Sequence, residues 1–187
     1  WVVALALASG AELWRARYAF SSGSDAWSMG LDAGSGTLFA PGSPTEVDAL
    51  RCMFGGSHLF ALDLNTGRTK WTYRFQECTC NVMPAVAGGR LVFSDASGIV
   101  YALDAASGAP RWIAPGNGPF AFTTGTAAIG PNGLLYVTSN LGPHRGVLRA
   151  YDLKGGALRW QRTFDREANN APAVYRDGRG RLLVAIG

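Results

Sequence analysis

A thirteen-residue phrase ending in tryptophan occurs four times in this chain: VVALALASGAELW at 2–14, LFALDLNTGRTKW at 59–71, VYALDAASGAPRW at 100–112 and LRAYDLKGGALRW at 148–160. Counting back from Trp14, Trp71, Trp112 and Trp160, a glycine stands four residues earlier each time (Gly10, Gly67, Gly108, Gly156). An alanine stands ten earlier (Ala4, Ala61, Ala102, Ala150), and an apolar residue twelve earlier. Aspartate stands eight earlier in three copies (Asp63, Asp104, Asp152), and Ala6 replaces it in the first. Such a repeat limits the fold to an array of like units.

Each phrase reads as a β-hairpin. The residues before the aspartate have strand character, Asp-x-x-[Thr/Ser]-Gly is turn chemistry, and a second strand carries the tryptophan. Another strand pair precedes two of the phrases, at 84–86 with 90–93 and at 126–128 with 134–137, each joined by a glycine-containing turn. Four short strands per unit, with tryptophans 57, 41 and 48 residues apart, signify the blades of an all-β propeller. The expected organisation is one partial propeller domain over 1–187. It has a half-blade at 1–20, three complete four-stranded antiparallel blades at about 27–75, 82–114 and 123–164, and a second half-blade at 170–187.

The phrase resembles the tryptophan-docking repeat of the PQQ (pyrroloquinoline-quinone) repeat β-propellers, a family that includes quinoprotein alcohol dehydrogenases and non-catalytic propellers. The resemblance implies that each indole lies flat on the neighbouring blade, near the next motif's glycine, so that Trp71, Trp112 and Trp160 are largely buried. It also makes PQQ and calcium conceivable cofactors, and a periplasmic or otherwise extracytoplasmic location the family's usual one. A disulfide between adjacent cysteines commonly lies against the quinone in the dehydrogenases. Cys78-Thr79-Cys80 does not have that spacing.

Hydrophobic residues make up 48% and charged residues 16% of the chain, a balance suited to a globular fold, and 25 glycines suit its many turns. No run of about 18 apolar residues suggests a membrane span. The apolar start fits the first repeat's register and lacks the basic region of a signal peptide. The chain opens at the third strand of one blade and closes on the first two of another. It therefore reads as a segment of a longer propeller, an open arc prone to association through its edges. The alternative is that the two halves pair and close a four-bladed ring.

In a blade of sequential strands A to D, the B–C turns and the D–A links leave on one face, and the A–B and C–D turns on the other. Elaboration concentrates on the first face: residues 41–56 and 139–146 between strands B and C, and the links 76–81, 115–123 and 165–169. Binding groups gather on such loops, so this face is expected to receive a protein or small-molecule partner. Cys52 lies in the long insertion, and Cys78 and Cys80 in the link leaving the same blade. Either a bridge from Cys52 to one of that pair or three thiols fits the odd count, and a zinc site lacks the usual two-residue spacer. His58 and His144 are read in B–C loops as solvated residues. Glu77, Asp165 and Glu167, with Asn81, Asn169 and Asn170, are the link residues that could offer oxygens to calcium, though their spacing singles out no site.

Net charge is +4, with arginines scattered and no nucleic-acid motif. Nucleophile elbows, phosphate loops and metal-protease helices are missing from the sequence. Three function classes follow. A non-catalytic binding scaffold is the first, and a segment of a PQQ-dependent alcohol or sugar dehydrogenase the second. The third is an accessory propeller of a multidomain enzyme.

Overall fold

The computed structural model describes residues 1–21, 29–52, 55–118, 122–123 and 127–187. Its described residues form five antiparallel sheets in chain order. The first pairs β1 (Val2–Leu5) with β2 (Glu12–Ala16). Blade I is β3 (Gly30–Asp32), β4 (Thr37–Gly42), β5 (Gly56–Asp63) and β6 (Thr69–Thr79), with helix α1 (Glu46–Arg51) between β4 and β5. Blade II is β7 (Ala85–Ala87), β8 (Arg90–Ser94), β9 (Val100–Asp104) and β10 (Pro110–Ala114). Blade III is β11 (Ala127–Ile129), β12 (Leu134–Gly142), β13 (Arg145–Asp152) and β14 (Leu158–Phe164). The last sheet pairs β15 (Ala173–Arg176) with β16 (Leu182–Ala185). This is a partial propeller: β1–β2 and β15–β16 stay separate sheets, so the two halves do not close a four-bladed ring.

The cores lie between the sheets because strand side chains alternate between faces. In β8, Leu91 faces blade I and joins Phe39, Leu59, Phe75 and Tyr101, while Val92 faces blade III and joins Leu135, Val137 and Tyr151. Val2 packs with Phe60 and Leu62 of blade I. Val174 and Val184 pack on Tyr136 and Leu148 of blade III. Each blade thus buries its two faces only against its neighbours, the nearest-neighbour energetics of a repeat array.

Three details depart from the sequence reading. β6 continues to Thr79, so residues 76–79 are strand rather than link. β12 and β13 extend through most of 139–146, so this stretch is a hairpin tip with His144 in the left-handed region (φ 59°) and not a free loop. His58 lies within β5, half-buried, with its Nδ1 2.7 Å from the Ser57 hydroxyl. Burial is the main cause that pushes its pKa down. Of the long insertion, residues 53–54 lie outside the described set, as does the first part expected of blade I, up to residue 28.

Candidate functional site

The repeat residues occupy the face opposite the elaborated one. Asp63 Oδ1 accepts from the amides of Asn65 (3.1 Å) and Thr66 (3.0 Å) and from the Thr66 hydroxyl (2.9 Å). Asp104 repeats this with Ala106 and Ser107, and Asp152 takes the Gly155 amide at 2.8 Å. Arg111 pairs with Asp104, Arg159 with Asp152 and Lys70 with Asp63. The first copy closes the same turn without a carboxylate, the Gly10 amide donating to the Ala6 carbonyl at 2.8 Å and the Ala11 amide to Ser9 Oγ at 3.3 Å.

Hydrogen bonds from Arg111 and then Ser107 hold the Asp104 carboxyl at about 2, and like donors lower Asp63, Asp152 and Asp177. A depressed folded pKa gives stability that is present above the unfolded value of about 4 and is lost as pH falls through the folded one. Urea midpoints should therefore drop between about pH 4 and pH 2. The double variant Asp104→Asn/Asp152→Asn should flatten that drop, and an unchanged profile would show that these carboxylates do not control it.

Three of the four motif indoles reach the following sheet. Trp14 Nε1 donates to the Leu64 carbonyl (3.1 Å), Trp71 to Ala105 (3.3 Å) and Trp112 to Leu153 (3.1 Å). A Cβ built on Gly67, Gly108 or Gly156 would stand 2.7, 2.7 or 2.6 Å from the indole of Trp14, Trp71 or Trp112, respectively. Gly108 also has φ +73°, so both contact and conformation require glycine there. Full burial is not observed. Trp14, Trp71 and Trp112 are half-buried, because an indole lying over a turn keeps an edge in water, and Trp160 is 39% exposed.

On the elaborated face, the insertion of blade I is built and anchored. Thr45 caps α1, its Oγ1 accepting from the Asp48 amide at 3.1 Å, and Glu46 and Asp48 suit the positive end of the helix. A disulfide joins Cys52, which follows α1, to Cys78 on β6, with Cα atoms 5.4 Å apart. Cys80 is buried outside that bridge. The chain then crosses β6 so closely that a Cβ on Gly55 would overlap the Thr79 carbonyl. Thr79 Oγ1 in turn donates to the Gly56 carbonyl at 3.1 Å. No residue of α1 is buried, and Val47 and Leu50 stand 76% and 69% exposed. Beside the helix, Arg51, Gly55, Cys78, Thr79, Cys80, Ala96 and Phe122 line a hollow of about 290 Å³.

Phe122 also borders a second hollow, of about 190 Å³, with Asn140, Gly142, Pro143, Glu167 and Asn169. Asn140 is the centre of its wall. Its Nδ2 donates to the Phe122 carbonyl (2.6 Å) and Asn169 Oδ1 (2.7 Å), and its Oδ1 accepts from the Ala168 amide (2.9 Å). Asn117 Nδ2 bridges Ser139 Oγ and the Asn140 carbonyl, while its Oδ1 takes Arg149 at 2.6 Å. At the B–C turn of blade II, buried Asp95 accepts from Tyr101 Oη (2.7 Å) and the amides of Ser97 and Ile99 (both 3.0 Å). Burial pushes this carboxyl upward. Tyr101 Oη also takes the Gln76 amide of blade I at 3.0 Å, tying the two blades together. The sequence reading missed Asn117 and Asn140, whose partners are distant in the chain, and Asp95, whose partners Ser97, Ile99 and Tyr101 belong to its own turn and the strand after it. Thr45 carried a local signal, the Thr-x-x-Asp capping pattern.

The residues considered for calcium do not converge. Glu167 meets Asn169 Nδ2 (3.4 Å) and the His144 amide (3.5 Å), whereas Glu77 borders a different hollow with Ser97, Ile99, Gly116 and Gly118. The Asn170 carbonyl accepts from Thr138, and Asn169 Oδ1 accepts from Asn140 Nδ2. Among the described residues no three His, Cys, Asp or Glu side chains gather as a metal would need. Calcium takes six to eight oxygens, so this donor set does not fit it, and no step is derived through calcium or quinone. No helix among the described residues is long and apolar enough to cross a membrane.

Four-stranded blades, a regular Asp–Gly turn and an indole on each following glycine define a β-propeller of PQQ-like repeats. The chain belongs to the family whose model is described as outer membrane protein assembly factor BamB, which matches residues 1–187. No curated protein matches the sequence. Among solved structures it is similar to BamB from Moraxella catarrhalis, at 18% identity and TM-score 0.65, covering 95% of this chain and 47% of that one. It is similar to a quinohemoprotein alcohol dehydrogenase from Comamonas testosteroni, at 14% identity and TM-score 0.68, covering 97% and 36%. The computationally designed Ika8 protein matches at 13% identity and TM-score 0.63, covering 98% and 51%. The chain thus spans about half, or less, of each of these structures.

Proposed function

We propose that this segment is a non-catalytic binding scaffold whose tryptophan-docking repeats hold a rigid arc and whose elaborated face receives a protein partner. The observation that carries this reading is α1. The chain spends a capped helix, a disulfide and a glycine crossing on holding Val47 and Leu50 out in water. Exposed apolar residues on a fixed support are the usual anchors of a protein interface. The family description, an outer membrane protein assembly factor, supports a partner among proteins of that assembly process.

The test places a photo-crosslinking residue at Val47 or Leu50 of the full-length protein in its host. One discrete adduct is expected at these positions, none from Lys154 on the opposite face, and loss of the adduct in Val47→Asp/Leu50→Asp. Equal labelling from both faces would refute the reading. The other reading, a segment of a PQQ-dependent dehydrogenase, predicts dye reduction with alcohols after the full-length protein is supplied with PQQ and calcium. The scaffold reading predicts none, and no saturable quenching of tryptophan fluorescence by PQQ.

A further inference from the structure

Three side chains of α1 stand in one stripe. Leu50 and Arg51 follow Val47 by three and four residues, the spacing that puts side chains on one face of a helix. None of the three is buried, so this face of α1 looks away from its own chain. Arg51 ends the stripe at the rim of the hollow of about 290 Å³ beside the helix. Among the described residues no carboxylate stands within ion-pair reach of its guanidinium. Asp48, three residues earlier, already takes the Thr45 hydroxyl at 2.6 Å.

Apart from Arg51, the walls of that hollow offer a guest little that is polar. Gly55, Cys78, Cys80 and Ala96 line it, and Phe122 stands at its side, 52% exposed. Thr79 spends its hydroxyl on the Gly56 carbonyl. The walls are also tied to one another. The Ala96 amide donates to the Cys78 carbonyl (2.8 Å) and the Thr123 amide to the Ala96 carbonyl (2.9 Å), while the disulfide holds Cys52 and the end of α1 to the same strand. All of these groups belong to blades I and II or to the link that follows blade II, and none to the first or last sheet. The volume falls just under the range of about 300–1,000 Å³ typical of small-molecule sites, a size for one large side chain.

Building on the scaffold reading above, we infer that the protein partner inserts one large apolar side chain into this hollow and pairs an adjacent carboxylate with Arg51. Val47 and Leu50 then pack on the segment that carries both. Arg51 decides the neighbour. Covering its guanidinium with a partner that brings no opposite charge would strip it of water without return, whereas a carboxylate answers it with two parallel hydrogen bonds. The hollow decides the anchor, because a polar side chain there would give up its hydrogen bonds to water and find few replacements. A fixed apolar pocket beside an arginine is the setting in which a few residues come to dominate an interface.

The protein captured by the crosslinker at Val47 is identified from the adduct, purified and titrated onto the full-length protein. Ala96→Phe, which fills the hollow, and Arg51→Glu, which reverses the charge at its rim, should each raise Kd by about 30-fold, the weight of an interface hot spot. Circular dichroism and the single reactive cysteine should be unchanged in both. A crosslinker at Phe122 should label the same partner segment, at an apolar residue next to an Asp or Glu. Replacing that acid with Arg should restore binding to Arg51→Glu and weaken binding to the parent. A partner captured at Val47 whose Kd is indifferent to both substitutions, or whose labelled segment has no carboxylate beside an apolar residue, would overturn this inference and leave the scaffold reading standing. Absence of any adduct at Val47 and Leu50 would overturn both.

Discussion

Trp112→Ala is expected to destabilise the folded arc by about 3 kcal/mol, the lower end of the cost of truncating a buried tryptophan. The reason is its position. The indole packs beside Tyr151, covers Gly156 and satisfies the Leu153 carbonyl, so truncation opens a gap between blades II and III and leaves that acceptor without its donor. Trp71→Ala should act alike between blades I and II. Trp160→Ala should cost less, about 1 kcal/mol, since that indole packs on Tyr136 but is 39% exposed. Urea titrations followed by circular dichroism decide the matter. Equal losses for Trp112→Ala and Trp160→Ala would mean that seating between blades contributes nothing.

The second large effect concerns Gly55. Its Cα passes over the Thr79 carbonyl with no room for a Cβ, and the obstacle is strand backbone rather than a side chain that could swing away. Gly55→Ala should therefore cost at least about 3 kcal/mol, the upper range of overpacking. It also moves Cys52 away from Cys78, three residues back along the insertion. Losing a crosslink that spans 26 residues costs about 3 kcal/mol more in the chain-entropy picture. The chemical readout is a thiol titration of the purified protein under denaturant. The parent should show one reactive cysteine and Gly55→Ala three. One thiol in both would show that the crossing tolerates a side chain.

The parts of this molecule that the sequence disclosed are those encoded within a dozen residues. Asp63, Gly67 and Trp71 belong to one turn and one strand, so their spacing carries the blade register directly. Other features depend on residues distant in the chain. The Asn140 wall is assembled from Phe122, Ala168 and Asn169, and no local pattern announces that meeting. The hairpin at 139–146 contains Gly142 and Pro143, which read as loop residues, yet a register shift between Asn140 and Gly142 lets the ladder continue as far as Gly142 opposite Arg145. Gly55 gave no signal either, because its requirement comes from Thr79, far along the chain at the end of β6. The half-burial of the indoles was hidden for a simpler reason: the motif specifies what a tryptophan covers, not how much of it remains in water.

Strand β6 carries both Trp71 and Cys78. It therefore works as a tie rod: a load pulling on the exposed helix passes through the Cys52–Cys78 bond into one continuous strand and is delivered at the indole resting on the next blade. Tension applied at the rim is thus borne along a covalent line and a hydrogen-bonded ladder loaded in shear, not by peeling one surface loop from another. A propeller gripped by that helix would be hauled as a unit, with its first two blades under strain together before the insertion could tear free.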